Sequence, residues 1–419
     1  MKLCTLAAFL LVMSMLAVCA GFQSVRGTET RPWGVERIRA YCAWDNNLDM
    51  IIDNVTDPRA GQNVVIAVID YGIDYLPTIP PAYHEDLSDN VWRDYQGKGG
   101  LGFKWNWITQ RVEEVYDHRD DPDSGNVGHG THVCGTSAAV DNDIGVIGTA
   151  PKALIYMLKL VTGDSRELVA AVNYAANMGQ VSVIVMSLGL NGSATNPPGL
   201  ENACMNAYNS GKLIFAASGN DNRSVIDYPA RYDCVVAVGA VFENLSRWVN
   251  WTTGQGSNYG PELDFVAPGV DINSTWVNWG YRNDTGTSMA CPHVAADAAM
   301  IWGSKPDPDF DVDHDGWERD EVLAKLYNQT LHLPNYTETG RNDEYGYGLV
   351  NAWRASHRPL GDITMDYKVR VDDVFMAAQA YGSNFGGPNW NPRADVNIDN
   401  KVRVDDVLFI ADRFGDTDP

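Results

Sequence analysis

The chain has 419 residues, of which 45% are hydrophobic, enough to bury one large core and still hold a small second domain. Its 54 acidic residues against 31 basic ones give a formal net charge of -23. A surface this negative argues against nucleic acid as a partner and favours the binding of cations.

Residues 1–20 have the pattern of a secretory signal peptide. Lys2 precedes an apolar run from Leu3 to Val18, and Ala20 is a small residue before the expected cleavage point. The run is too short for a membrane span, and no later segment is apolar over a sufficient length. We therefore predict an exported protein without a membrane span, either secreted or associated with the cell surface. A lipoprotein modified at Cys19 is the alternative.

Valine-rich apolar runs alternate with helix-like segments along most of the chain. The runs are residues 63–69, 153–160, 181–186, 213–217 and 234–241. Helical patterns cover residues 167–178 and 200–209. The alternation predicts an α/β fold, in which a parallel β-sheet is covered by helices on both faces and the site lies at the carboxyl ends of the strands.

Three short motifs supply an acid, a base and a hydroxyl, in that order. Asp70 ends the first apolar run, His129 opens HGTH, and Ser288 stands in GTSMACPH before a long alanine-rich segment. A serine hydroxyl needs a base before it becomes a good nucleophile. On its own, Ser288 is equally well explained as a helix cap. Ser187 and Asn220 also follow predicted strands, which places them at the same edge of the sheet.

The order and wording of these motifs resemble those of the subtilisin-like serine proteases, the subtilases, over residues 31–357. The resemblance implies an endopeptidase that acts on protein or peptide substrates. In it, Ser288 attacks the scissile carbonyl, His129 transfers the proton, Asp70 holds the imidazolium and Asn220 donates to the oxyanion. His132 is then structural, and a metal site in HGTH lacks a third ligand at matching spacing.

The same resemblance implies an extended substrate between two segments of the chain. The residues assigned to substrate binding are Ser187, Leu188, Gly189, Gly219, Asp227 and Gly163. Asp227 stands where the primary specificity pocket commonly has a glycine. A buried carboxylate there favours Lys or Arg before the cut bond, whereas an Asp227 that caps a turn and faces solvent has no such effect.

Two segments of the protease-like region are predicted to bind Ca2+. The resemblance implies one site in which Asp86 and Asn142 give side-chain oxygens and Ile144 and Val146 give carbonyls. Residues 309–321 open like an EF-hand loop. The ligands expected in this second site are Asp311, Asp313 and Asp315. The alternatives are an ordinary polar turn and a solvated acidic turn.

Cysteine count limits the disulfides. Without the signal segment five cysteines are left, so at most two disulfides form and one thiol stays unpaired within the chain. Cys204 and Cys234 are the favoured pair. Cys134 and Cys291 lie within the histidine and serine motifs and are interpreted as core residues.

Residues 360–416 contain a duplication built on KVRVDDV. Each copy has calcium-loop spacing before a short amphipathic helix. The predicted ligands are Asp362, Thr364, Asp366 and Asp373 in the first copy and Asp395, Asn397, Asp399 and Asp406 in the second. The pair resembles a dockerin-type module, which implies a small C-terminal α domain of two EF-hand-like loop-helix repeats that binds a cohesin-like partner. A calcium-stabilised domain without a partner is the alternative.

Two functions follow from these features. The first is an exported, calcium-stabilised serine endopeptidase. The second is a surface-assembly or binding protein whose protease-like domain is mainly a scaffold for the dockerin-like tail.

Overall fold

A computed structural model describes the parts of the chain on which the site depends. The described residues are 29–44, 58–76, 82–120, 127–190, 196–304, 318–331, 333, 341–353, 370–383, 394, 401–403, 407–408 and 410–411. The predicted signal peptide, residues 1–20, lies outside them. So do the predicted calcium ligands Asp311, Asp313, Asp315, Asp362, Thr364, Asp366, Asp395, Asn397, Asp399 and Asp406.

Helices and strands alternate as the apolar pattern predicts. The helices are α1 (Trp33–Arg37), α2 (Ala40–Trp44), α3 (His129–Ala138), α4 (Ser165–Asn177), α5 (Leu200–Asn209), α6 (Thr287–Ser304), α7 (Arg319–Asn328) and α8 (Val371–Ala380). The strands are β1 (Val65–Asp70), β2 (Tyr75–Leu76), β3 (Ala82–Tyr83), β4 (Gly100–Asn106), β5 (Arg111–Val115), β6 (Leu154–Leu160), β7 (Val181–Met186), β8 (Leu213–Ala217), β9 (Val236–Val241), β10 (Phe265–Pro268), β11 (Ile272–Trp276) and β12 (Gly280–Asp284).

The main sheet has eight strands in the order β10-β9-β8-β7-β1-β6-β4-β5. Neighbouring strands run parallel, except for the antiparallel hairpin β4–β5 at one edge. Asp70 of β1 lies level with Lys159 of β6, and Gly102 of β4 lies level with the same lysine. The predicted α/β fold with a parallel sheet is therefore confirmed.

Burial explains why these strands are continuous apolar runs. All six residues of β1 are buried, which requires cover on both faces of the sheet. Helix α3 packs against α6, α4 packs against α5, and both pairs pack on the sheet. Residues Thr287 to Trp302 of α6 are all buried, as expected of a helix that is apolar on every side. Within the described residues, no helix has both the length and the apolar character that a bilayer span needs.

A second, smaller core belongs to the C-terminal repeat. It consists of Ala377, Ala380, Ala394, Val402 and Ile410. Backbone hydrogen bonds from Gly382 N to Val402 O (2.8 Å) and from Val402 N to Ser383 O (3.1 Å) join the two copies. The predicted ligand Asp373 is buried at the start of α8, where its Oδ2 accepts a hydrogen bond from Arg370 N at 2.7 Å.

The cysteine prediction is wrong for the favoured pair. Cys204 and Cys234 are buried and form no disulfide among the described residues, and the same holds for Cys42, Cys134 and Cys291. All five belong to the main hydrophobic core, where a thiol packs as a small apolar group. The interpretation of Cys134 and Cys291 as core residues is confirmed.

Candidate active site

The fold brings the acid and the base of the three motifs into direct contact. Asp70 ends β1 and is fully buried, and His129 begins α3. The Nδ1 atom of His129 lies 2.9 and 3.0 Å from the two carboxylate oxygens of Asp70. Because a carboxylate only accepts, Nδ1 carries the proton and Nε2 keeps its lone pair. His129 is thus oriented as a base, with 22% of its side chain exposed.

A glycine makes this approach possible. A β-carbon at Gly130 would lie 2.2 Å from the carbonyl oxygen of Gly72 and 3.1 Å from the β-carbon of Asp70. Any side chain there would push the start of α3 away from the end of β1. Gly130 is therefore required by the contact between Asp70 and His129.

Several charges act on His129. Burial lowers the pKa of His129, but the charge and hydrogen bond of Asp70 and the more distant charges of Asp284 and Asp120 outweigh it. The net result raises the pKa above its usual 6.5. The neutral imidazole, which can accept a proton, is therefore favoured only at a pH above that raised value.

Ser288 and Ser187 exchange hydrogen bonds across the start of α6. Ser288 Oγ donates to Ser187 O at 3.1 Å, and Ser187 Oγ donates to Ser288 O at 2.8 Å. The second bond compensates for Pro292, which has no N–H to donate to the carbonyl four residues earlier. The buried side chain of Ser187, a residue predicted to bind substrate, thus supports the position of Ser288.

Asn220 is fixed by Thr287, a residue that sequence reasoning missed. Asn220 Oδ1 accepts hydrogen bonds from Thr287 N at 2.9 Å and Thr287 Oγ1 at 2.8 Å. With the oxygen held by two donors, the Nδ2 group is the end that can donate to a ligand. The sequence shows only that Thr287 directly precedes Ser288, and this does not indicate a contact with Asn220.

A cavity of about 220 Å³ lies beside Ser288. Its lining is formed by Gly189, Ala217, Gly219, Asn220, Asp221, Asp227, Thr287 and Ser288. Asp227 is only 5% exposed, so it does not face solvent. Asn258 Nδ2 donates to its Oδ1 at 3.4 Å, and a guanidinium nitrogen of Arg223 lies 3.7 Å from the same oxygen.

The two segments assigned to an extended substrate lie near this cavity and near Asp70. Leu188 packs against the main core, and Leu190 N donates to Tyr228 O at 2.8 Å, which fixes the segment that contains Gly189. Gly163, in the other segment, is beside Tyr71, whose ring would be 3.5 Å from a β-carbon at that glycine.

The residues assigned to the first calcium site also meet. Asn142 Oδ1 accepts a hydrogen bond from Ile144 N at 3.1 Å, and Val146 N donates to Asp86 Oδ2 at 3.0 Å. Sequence reasoning missed Glu29, whose Oε1 accepts from Asn142 N at 3.0 Å across 113 positions of sequence. No local pattern in the sequence points to that contact.

This cluster fits a calcium ion. Asp86 Oδ1 is buried without a hydrogen-bond partner in the described part of the chain. Burial, and then the charges of Asp141 and Asp86, raise the pKa of Glu29 to about 8. A hard cation is what such oxygens would bind. Within the described ranges, no group of three or more His, Cys, Asp or Glu side chains could hold a metal, so amide and carbonyl oxygens would have to complete the site.

The second histidine of HGTH has a structural position. His132 Nε2 lies 2.9 Å from Ile272 O and 3.1 Å from Arg282 O, which ties α3 to the hairpin β11–β12. Burial lowers the pKa of His132 to about 4, so the ring is neutral at physiological pH.

The chain is similar over most of its length to known proteins. The Subtilase family profile matches residues 61–348. Subtilisin BL of Lederbergia lenta is 36% identical over 329 residues, which cover 78% of this chain and 98% of the relative. The thermostable alkaline protease of Halalkalibacterium halodurans is 34% identical over 334 residues (78% of this chain, 74% of the relative), and subtilisin NAT of Bacillus subtilis subsp. natto is 34% identical over 333 residues (78% and 71%). The chain belongs to the subtilase family and is a serine endopeptidase.

Proposed function

We propose that the chain hydrolyses peptide bonds through Asp70, His129 and Ser288, with Asn220 as oxyanion donor. The observation that carries this proposal is the double contact of His129 Nδ1 with the Asp70 carboxylate, which leaves Nε2 as a base. The cavity between Ser288 and Asn220 offers space for the residue before the cut bond.

The chemistry then follows from the donors and acceptors in place. The Ser288 hydroxyl leaves Ser187 O and gives its proton to His129 Nε2 as Oγ attacks the scissile carbonyl carbon. The Asp70 charge stabilises the imidazolium, and Asn220 Nδ2 donates to the oxyanion. Collapse of the tetrahedral intermediate breaks the C–N bond of the substrate, and the leaving amine takes the proton from His129. Water then attacks the acyl-enzyme in the same way, with His129 as the base, which releases the carboxylic acid and restores Ser288.

A fluorophosphonate probe tests the nucleophile. We expect labelling of Ser288 in the wild type and none in Ser288→Ala. Asn220→Ala should label more slowly and lose about 10²–10³ in kcat, the cost typical of removing one oxyanion donor in subtilisin-type sites. A folded wild type that takes no label would instead support the second function, a scaffold for assembly.

We further propose a preference for Lys or Arg before the cut bond. The basis is Asp227, a buried carboxylate in the wall of the cavity. Arg223 already lies 3.7 Å from one of its oxygens, so a substrate cation would share Asp227 with it. Peptides that differ only at this position should be cleaved in the order Arg above Phe and Leu. Equal rates, or an Arg preference that survives Asp227→Gly, would contradict the proposal.

Calcium would stabilise the fold through Asp86, Asn142, Glu29 and the carbonyls of Ile144 and Val146. Bound there, the ion supplies positive charge between the buried carboxylate of Asp86 and the half-buried carboxylate of Glu29, and it ties the N-terminal segment to the turn. We expect chelation to lower the Tm of the wild type. Asp86→Asn should start from a lower Tm and respond less to chelation. An equal response in both proteins would place the relevant calcium elsewhere, for example at Asp311, Asp313 and Asp315.

The proposal extends to export and to tethering. Residues 1–20 would direct export, residues 31–357 form the peptidase, and residues 360–416 form a calcium-binding dockerin-like module for a cohesin-like partner. The separate small core of the tail supports this boundary. Deleting residues 360–419 should leave peptide hydrolysis unchanged, because every residue of the proposed triad precedes them. A lost rate in a folded truncation would move the boundary.

A further inference from the structure

The hairpin β4–β5 rises above the edge of the sheet that holds the active site. β4 is level with β6 as far as the pair Phe103 and Leu160, and it then continues through Asn106. Three more residues at about 3.3 Å each carry the hairpin about 10 Å beyond that level. Since β1 and β4 both run parallel to β6, the hairpin tip, residues 107–110, projects on the side where Asp70 ends β1.

A buried carboxylate ties the hairpin to the cleft. Glu167 is fully buried, and its Oε1 accepts hydrogen bonds from Trp105 N at 2.5 Å and Thr162 Oγ1 at 2.7 Å. Its Oε2 accepts from Thr162 N at 2.9 Å and Gly163 N at 3.1 Å. A buried charge persists only when hydrogen bonds compensate it, and here four donors do so. The hairpin backbone and the Gly163 turn are therefore held as one unit.

The guanidinium of Arg166 and three apolar side chains extend from this buried unit to the protein surface. The Arg166 guanidinium lies 3.5 Å from the centroid of the Trp105 ring and 5.0 Å from that of Trp107, and it pairs with Asp164 at 2.6 Å. Trp105 is 7% exposed, but Trp107 is 67% and Ile108 is 94% exposed. Adjacent large apolar groups at this exposure mark an interaction surface more than a structural need.

We propose that Trp107, Ile108 and Arg166 form a second contact surface for the protein substrate, and that Glu167 is the positioning residue that fixes this surface to the cleft. The inference rests on the proposed function. Its occupant is an apolar or aromatic segment of the substrate chain. The basis for this choice is continuity, because the surface extends from the Gly163 turn, which lies beside Tyr71 and Asp70. Two inter-strand spacings separate β4 from β1, about 10 Å, so the contact falls about three substrate residues from the cut bond, and the proposal places it before that bond.

Substrate length gives the test. We compare a three-residue nitroanilide with an internally quenched ten-residue peptide that has Leu and Phe in its first half. Trp107→Ala should raise KM about tenfold for the long peptide, the effect of truncating a central contact residue, and should leave kcat and the short substrate unchanged. The control is Tyr95→Ala, because Tyr95 is 93% exposed and precedes β4 at the end opposite the tip. Equal KM values for the two variants would overturn the proposal.

A second variant separates positioning from folding. Glu167→Gln keeps the size of the side chain but removes the charge and one acceptor. With circular dichroism unchanged, it should raise KM for the long peptide and leave the short one close to wild type. A loss for both substrates would show a structural role alone. Fluorophosphonate labelling distinguishes the two proposals. If the wild type is labelled and Trp107→Ala has an unchanged KM for the long peptide, only the second contact surface is contradicted. If the wild type is not labelled, the proposed function is contradicted.

Discussion

His129 sets the pH dependence of activity at the scale of a single residue. Because its pKa is raised, kcat/KM should fall on the acid side with an apparent pKa above the usual 6.5. Asp284→Asn keeps the acceptor for Thr285 N but removes one charge that favours the imidazolium. The acid limb of the pH–rate profile of Asp284→Asn should therefore move to lower pH. A pH–rate profile checks the shift, and Asp271→Asn, on a nearby exposed turn, should leave the profile unchanged.

Asp297 is a second residue with a measurable consequence. It is fully buried in α6, and neither oxygen has a hydrogen-bond partner among the described residues. Burial raises its pKa well above the usual value. A raised carboxyl pKa costs stability at high pH and nothing once the group is protonated in both states.

We therefore expect Asp297→Ala to raise the free energy of unfolding by about 1–3 kcal/mol at pH 8, the cost of an unsatisfied buried group. The gain should shrink as the pH falls. Asp297→Asn removes the charge but keeps the polar atoms, so it should gain less. Urea unfolding at pH 8 and pH 5 measures both, and a destabilised Asp297→Ala at pH 8 would mean that the carboxylate has a partner.

At the scale of the element, the start of α6 depends on a bond from outside the helix. Ser187→Ala removes the only side-chain donor that compensates Ser288 O for the missing N–H of Pro292 among the described hydrogen bonds. It should cost about 1–3 kcal/mol of unfolding free energy and also lower kcat, because Ser288 loses its support. Ser137→Ala is the matched control, since Ser137 Oγ donates to the carbonyl of Val133 within the regular helix α3. Equal losses in both variants would contradict this account.

How much the sequence could predict depended on whether the signal was local. The runs at 181–186 and 213–217 and the helix at 200–209 match the structure because a buried run bounded by turn residues contains its own signal. The contacts of Glu167 with Trp105 and of Asn220 with Thr287 span 62 and 67 positions. Such contacts depend on strand order and register, which periodicity does not encode. The disulfide prediction failed for the same reason, since spacing in the sequence does not show whether two buried thiols form a disulfide.

At the scale of the whole molecule, buried histidines and buried carboxyl groups have opposite effects on how stability changes with pH. Burial lowers the pKa of His118, His132 and His293 to about 4. It raises the pKa of Asp120 and Asp264 to about 6. The three histidines lower the free energy of unfolding as the pH falls from about 6.5 to 4, because they bind protons in the unfolded chain and not in the folded one. The two carboxyl groups raise the free energy of unfolding over much of that range, because they bind protons in the folded chain first.

His118→Gln isolates one side of this balance. Relative to the wild type it should gain stability as the pH falls below about 6.5, by up to about 1.4 kcal/mol per pH unit, and reach a plateau near pH 4. His129→Gln should behave in the opposite sense, because the raised pKa of His129 contributes stability that is present at low pH and lost as the pH rises through that value. Urea unfolding from pH 4 to 8 compares them, and parallel curves for the two variants would refute the argument.

The five cysteines of the described chain are all buried and form no disulfide, and burial raises the pKa of Cys134, Cys204, Cys234 and Cys291. The thiolate is the form that reacts, so the native protein should be nearly inert to alkylating reagents, and the cysteines should become reactive together when the chain opens. The rate of thiol modification should therefore measure the rate of global unfolding. The same burial has a consequence for folding: in an oxidising compartment an incompletely folded chain can form incorrect disulfides, whereas the folded chain cannot.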